Sequence, residues 1–157
     1  SAASDVYKRQ HLKAQGIMEA TGKPAIADDT GLEVEALNGE PGVLSARYAG
    51  PHAGPEENIK KLLNELSDVP MVQRGARFRT VIVVLWPDET FITAQGIVSG
   101  KIALSPAGTL GFGYDSIFLP SEIPGKTFGE ISDSEKNQIS HRGRALKQIA
   151  NLLLSTH

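Results

Sequence analysis

The chain has 157 residues, 40% of them hydrophobic, which is enough to bury one ordinary core without staples. Sixteen basic against eighteen acidic side chains give a formal charge of −2, so no whole-chain field draws nucleic acid or an anionic membrane, and an anionic ligand needs a local cluster. Cysteine is absent, which excludes a disulfide framework and a thiolate metal site. The longest apolar run, VIVVLW at 81–86, is too short to cross a bilayer, and SAASDVYKRQ lacks the apolar segment of a signal peptide, so the chain reads as soluble and cytoplasmic.

In chain order, residues 8–20 are helix-compatible, with Leu12, Ile17 and Met18 loosely on one side and TGKP closing the segment. AIA at 25–27 reads as a short buried strand, and GLEVEALNGEPG alternates apolar and acidic residues around an Asn38-Gly39 turn, the pattern of a hairpin. PEENIKKLLNELSD opens with Pro55 and two Glu and places Ile59, Leu62, Leu63 and Leu66 at helical spacing. RGARFRTVIVVLW and TFITAQGIVSGKIA, joined by PDE, predict an antiparallel pair of strands. A final helix over 132–154 begins with a Ser132-to-Glu135 capping box and buries Leu146, Ile149, Leu152 and Leu153. There is no internal repeat and no low-complexity tract.

Three clusters can carry chemistry. Asp28 and Asp29 stand side by side after AIA, and their mutual repulsion must be offset by water or a cation. On an extended chain they point to opposite faces, so one can reach a cleft while the other orients a loop or meets metal-bound water. Magnesium suits so sparse an acidic site beside phosphates; the alternative is an Asx-turn with a spectator acid. GTLGFGYDSIF at 108–118 sets Phe112, Tyr114 and Asp115 among three glycines, which suits a purine stacked on a ring and hydrogen-bonded at its edge, or else a loop whose aromatics cap the core. It has neither the dinucleotide nor the P-loop spacing. EKNQISHRGRALK gathers Lys136, His141, Arg142, Arg144 and Lys147, either for a phosphate or base carbonyl or as a solvated helix face. A single flat patch there requires a break in the helix, for which Gly143 is the candidate.

PAIADDTGLEV, PGVLSARYAG, GFGYDSIF and SEKNQISHRGRAL each resemble, in the same order over residues 11–154, motifs of the inosine triphosphate pyrophosphatase family. The resemblance implies an α/β fold with a central mixed β-sheet, flanking helices and two lobes around a nucleotide cleft. It further implies a homodimer that cleaves inosine, deoxyinosine and xanthosine triphosphates to monophosphate and pyrophosphate with magnesium. Carried over residue by residue, Asp29 is the catalytic carboxylate and a metal ligand, Asp28 supports it at the metal, and Thr30 touches substrate. Phe112, Gly113, Tyr114 and Asp115 match the base-holding loop, Lys136 a substrate-binding lysine, and His141 with Arg142 the pair that meets the base.

The front of the chain departs from the pattern. The family's first strand, its Ser/Thr-x-Asn-x-x-Lys phosphate loop, the helix after it and a further acidic metal ligand have no counterpart, so residues 1–10 read as a leader foreign to the family and 11–157 as a single domain of a fragment. This leaves open a non-catalytic nucleotide-binding or dimerisation module. The SHR and FGYD segments argue against a further rival, the Maf-type nucleotide pyrophosphatases.

Overall fold

The computed structural model describes residues 2–156. Along the chain run α1 (Ala2–Thr21), β1 (Ala25–Val34), β2 (Pro41–Gly42), α2 (Pro55–Glu65), β3 (Gly75–Leu85), β4 (Phe91–Ile102), β5 (Phe118–Pro120), α3 (Asp133–Ile139) and α4 (His141–Thr156). The strands form one sheet in the order β2-β1-β3-β4-β5, with β2 antiparallel to β1 and β5 antiparallel to β4. The predicted α/β class, a central sheet with flanking helices, is the class the chain adopts. Two compact units divide it: one comprises the chain up to Thr30, Arg79–Ile97 and the chain from His141, and the other Gly31–Phe78 and Val98–Ser140.

The first unit is organised by β3, whose successive side chains face opposite ways. Val83 and Leu85 pack with Ala25 and Ala27 of β1 and Ala14 of α1. Ile82 and Val84 pack with Ala94 of β4 and with Ala145 and Ile149 of α4. A strand covered on both faces needs apolar residues at every position, which is why the run shows no alternation. The close seating of α4 depends on Gly96 of β4: a Cβ there would overlap the His141 carbonyl oxygen and lie 2.6 Å from the Ala145 nitrogen. Both are backbone atoms of the helix, so only a shift of α4 relieves the clash. Gly96→Ala is therefore expected to destabilise the fold by about 1–3 kcal/mol, the usual cost of overpacking. An unchanged urea midpoint would show that α4 moves freely.

In the second unit the core centres on Phe78, Phe118 and Phe128, with ring centroids 4.6 Å apart for Phe78–Phe118 and 5.2 Å for Phe118–Phe128. α2 has Pro55 as its first residue, and the Gly54 amide donates to the Glu57 carboxylate at 3.2 Å. Its stripe buries Leu62, and Leu66 just beyond the helix, with Ile59 and Leu63 half-buried. Asn58 accepts from the Ala49 amide and donates to the Ala46 carbonyl, fastening the loop before the helix. Arg74 is buried and donates to the carbonyls of Leu66, Val69 and Ala103, a structural use that its place beside Gly75 did not announce.

Several expectations change. α1 begins earlier than the predicted helix, and among its described residues Gln10 and Ala14 are buried, while Leu12 and Ile17 are exposed. The Asn38-Gly39 turn is present with both residues at positive φ, but a 3-10 turn at Glu35–Leu37 precedes it and the returning strand is only Pro41–Gly42. The helix expected over 132–154 is two helices, and the break falls at Ser140, not Gly143. Ser140 has extended backbone at φ −65° and ψ 147°, the conformation and residue type of a helix N-cap. The restart rotates α4 so that Ala145 and Ile149 face the core, Leu152 and Leu153 are half-buried, and Leu146 is 54% exposed.

Candidate active site

Strand geometry resolves the problem of adjacent carboxylates. Ala25, Ala27 and Asp29 share one face of β1, whereas Ile26, Asp28 and Thr30 share the other, so the two acids diverge. Asp28 forms an ion pair with Arg142, Oδ2 to Nη2 at 2.9 Å, and both side chains remain about half exposed. Asp29 Oδ2 accepts from Gln10 Nε2 at 3.3 Å. Thr30 Oγ1 lies 2.8 Å from Thr80 Oγ1. His141, the first residue of α4, is buried, and Arg142 beside it is exposed. The first unit thus brings Asp28, Thr30 and Arg142 to one side of β1 and turns Asp29 to the other. Arg144 of the same basic run donates to the Ile97 carbonyl at 2.8 Å, a structural contact, and Lys147 is solvated.

The second unit assembles the rest. The loop ahead of Asp115 turns at Gly111, where φ is +75° and a Cβ would overlap the Asp115 carboxylate. This lets Asp115 fold under the loop, where it is buried, accepts from the Phe112 amide at 2.9 Å and pairs with Lys136 Nζ at 2.5 Å. The same ammonium lies 4.5 Å from the Phe112 ring centroid and 5.6 Å from that of Phe128. Phe112 itself is 74% exposed, a ring with its surroundings fixed on one side by a cation and open on the other. Gly113 is left-handed at φ +57° and carries the chain back to Tyr114.

Tyr114 faces the core. Its hydroxyl donates to the Ser45 carbonyl at 2.7 Å, and burial, with Tyr48 nearby, pushes its pKa far above the ordinary phenol range. Ser45 in turn accepts from the Leu32 amide at 2.9 Å and donates to the Gly42 carbonyl at 2.6 Å. Sequence reasoning did not single out Ser45 or Thr80. The signal for Thr80 is its place as the one hydroxyl heading an apolar run; Ser45 lies in the PGVLSARYAG stretch, whose resemblance to a family motif marks the segment but not the residue.

Among the described residues no three His, Asp or Glu side chains gather as a closed metal cage. Asp29 offers oxygen donors only, and a magnesium ion that takes a single carboxylate, with waters and phosphates completing its shell, fits it, while Asp28 on the opposite face is engaged with Arg142.

Residues 3–152 match the Ham1 family. The chain is 52% identical over 145 residues to the dITP/XTP pyrophosphatase of Shigella flexneri, covering 90% of this chain and 73% of that protein. It is 49% identical over 137 residues to the dITP/XTP pyrophosphatase of Lactiplantibacillus plantarum, covering 87% and 67%. The solved structure of the Staphylococcus aureus Ham1 protein superposes with a TM-score of 0.90 at 43% identity, covering 97% of this chain and 78% of that one.

Proposed function

The chain belongs to the Ham1 family, and on that premise we propose that it hydrolyses non-canonical purine nucleoside triphosphates (ITP, dITP and XTP) to the monophosphate and pyrophosphate. The observation that carries this reading is the exposed Phe112 ring on its buried Lys136–Asp115 support, a base platform in a chain half identical to dITP/XTP pyrophosphatases. Water attacks the α phosphorus and Asp29 takes its proton as general base. Asp29 would hold magnesium, with Asp28 supporting it from the opposite face of β1, and the ion would supply charge neutralisation on the phosphates and on the departing pyrophosphate. Thr30 meets the nucleotide as a hydrogen-bonding hydroxyl. Phe112 stacks on the base, Gly113 lets the backbone approach it, and Tyr114 and Asp115 hold the loop in shape from below. Lys136 adds positive charge at the substrate, and His141 with Arg142 reads the base edge. The working enzyme is a cytoplasmic homodimer. Product analysis tests the reaction: release of orthophosphate alone, or equal turnover of ATP, overturns it.

Base choice follows from donors and acceptors. Hypoxanthine and xanthine present a carbonyl oxygen at position six, where adenine presents an amino donor. Arg142 is always protonated and offers donors only, so it gains a charge-assisted bond to the former and meets a second donor in the latter. Its pair with Asp28 is solvated, worth at most about 1 kcal/mol, and is readily exchanged for a substrate carbonyl. Arg142→Ala is expected to lower ITP turnover by about 10²-fold, the scale of a hydrogen bond to a charged group, with little change for ATP. Phe112→Ala is expected to weaken both nucleotides by roughly 10-fold or more through lost stacking. Steady-state kinetics with both substrates reads the difference, and equal losses in the Arg142 variant would assign that residue to phosphate or structure instead.

A further inference from the structure

Thr80 is fully buried on β3, directly ahead of the apolar run Val81–Leu85, and its hydroxyl oxygen lies 2.8 Å from that of Thr30 on the neighbouring strand β1. It shares its face of β3 with Ile82 and Val84, which pack under α4 against Ala145 and Ile149. Valine would suit that apolar setting at almost the same volume, and burying a hydroxyl there costs free energy unless it is bonded. Thr30 itself is only half-buried.

We infer that Thr80 is a positioning residue that orients the Thr30 hydroxyl to donate to an acceptor oxygen of the nucleotide, a phosphate oxygen by its charge. This rests on the reading above that Thr30 touches substrate. The argument is one of donor count. Each threonine hydroxyl has one proton and two lone pairs, and either can donate across the 2.8 Å pair. A phosphate oxygen accepts only. For Thr30 to donate outward, its one proton must leave the pair, and the pair survives only if Thr80 donates to Thr30. Binding therefore selects the order Thr80 to Thr30 to phosphate, and each bond in such a chain polarises the next. Without Thr80 the Thr30 hydroxyl rotates freely and loses both its direction and its polarisation.

The test is a double-mutant cycle on the full chain with Thr80→Val, Thr30→Val and both together, read as the ITC dissociation constant for ITP with magnesium and as KM and kcat for the same nucleotide. Each single variant is expected to raise Kd and KM roughly 3- to 10-fold, the span of one hydrogen bond, with kcat changed far less. The double variant should be no worse than the weaker single, and Thr80→Ser, which restores the hydroxyl, should return Kd and KM to near wild type. If Thr80→Val melts early, Thr80→Ser against Thr80→Ala supplies the same comparison. A Thr30→Val effect with Thr80→Val at wild-type affinity, additive losses, or no rescue by Thr80→Ser overturns the inference and leaves the Thr30 assignment standing. Wild-type affinity in Thr30→Val, or no ITP binding by the unmodified chain, removes the reading on which it rests.

Discussion

Asp29→Asn is expected to lower turnover of ITP by at least about 10²-fold, the lower end of what a general base contributes, with a further loss from weakened metal binding. The substitution keeps size and shape and removes only the charge. Asn can still accept the 3.3 Å bond from Gln10, and no other side-chain partner of Asp29 is found among the described residues, so thermal stability should stay within about 0.5 kcal/mol of the parent. That combination separates chemistry from folding. Asp28→Asn serves as the comparison on the same strand: it removes the charge facing Arg142 and leaves the opposite face of β1 untouched. Magnesium-dependent turnover in Asp29→Asn close to that of the parent would transfer the base to another group.

Much of this arrangement was legible in the sequence because it depends on short-range rules. The period of two in an extended chain sends Asp28 and Asp29 to opposite faces whatever the rest of the fold does, and one ion pair at 2.9 Å identifies what offsets the charge of Asp28. Glycines at 108, 111 and 113 all lie at positive φ, so the spacing GTLGFG correctly marked a loop the backbone must thread through left-handed space. The illegible parts depend on contacts between distant residues. The break at Ser140 fits the start of α4 that seats it against Gly96; Ser is a favoured N-cap type, but SHRG alone does not decide between a restart after Ser140 and a break at Gly143. Once the break moved, the apolar stripe of α4 moved with it, which left Leu146 exposed although its helical spacing had been read correctly for a continuous helix. Tyr114 looked like a candidate for the ligand because it stands beside Phe112, yet the Ser45 carbonyl that its hydroxyl meets is 69 residues away in sequence.

Lys136→Met is expected to destabilise the fold by about 3–5 kcal/mol, the cost of leaving a buried charge without its partner. The Asp115 side chain is only 4% exposed, and the Lys136 ammonium at 2.5 Å is the one cation paired with it among the described residues. The remaining partner, the Phe112 amide at 2.9 Å, is a single neutral donor and cannot replace that charge. Methionine fills the aliphatic space between the Phe112 and Phe128 rings, so the loss is electrostatic rather than a cavity. The companion variant Asp115→Asn distinguishes these terms. Asn keeps an acceptor for the Phe112 amide, and a neutral group tolerates the absence of lysine, so the double variant Lys136→Met with Asp115→Asn should be more stable than Lys136→Met alone. Non-additivity of that sign, measured by chemical denaturation across the four proteins, identifies the pair as a coupled buried charge. Strict additivity would mean that water reaches Asp115 and that the loop under Phe112 is held by its glycines. The functional consequence is separable, because the stabilised double variant still lacks the ammonium 4.5 Å from the Phe112 ring. ITP affinity should therefore remain low in it even where folding has recovered, and recovery of affinity together with stability would confine Lys136 to a structural role.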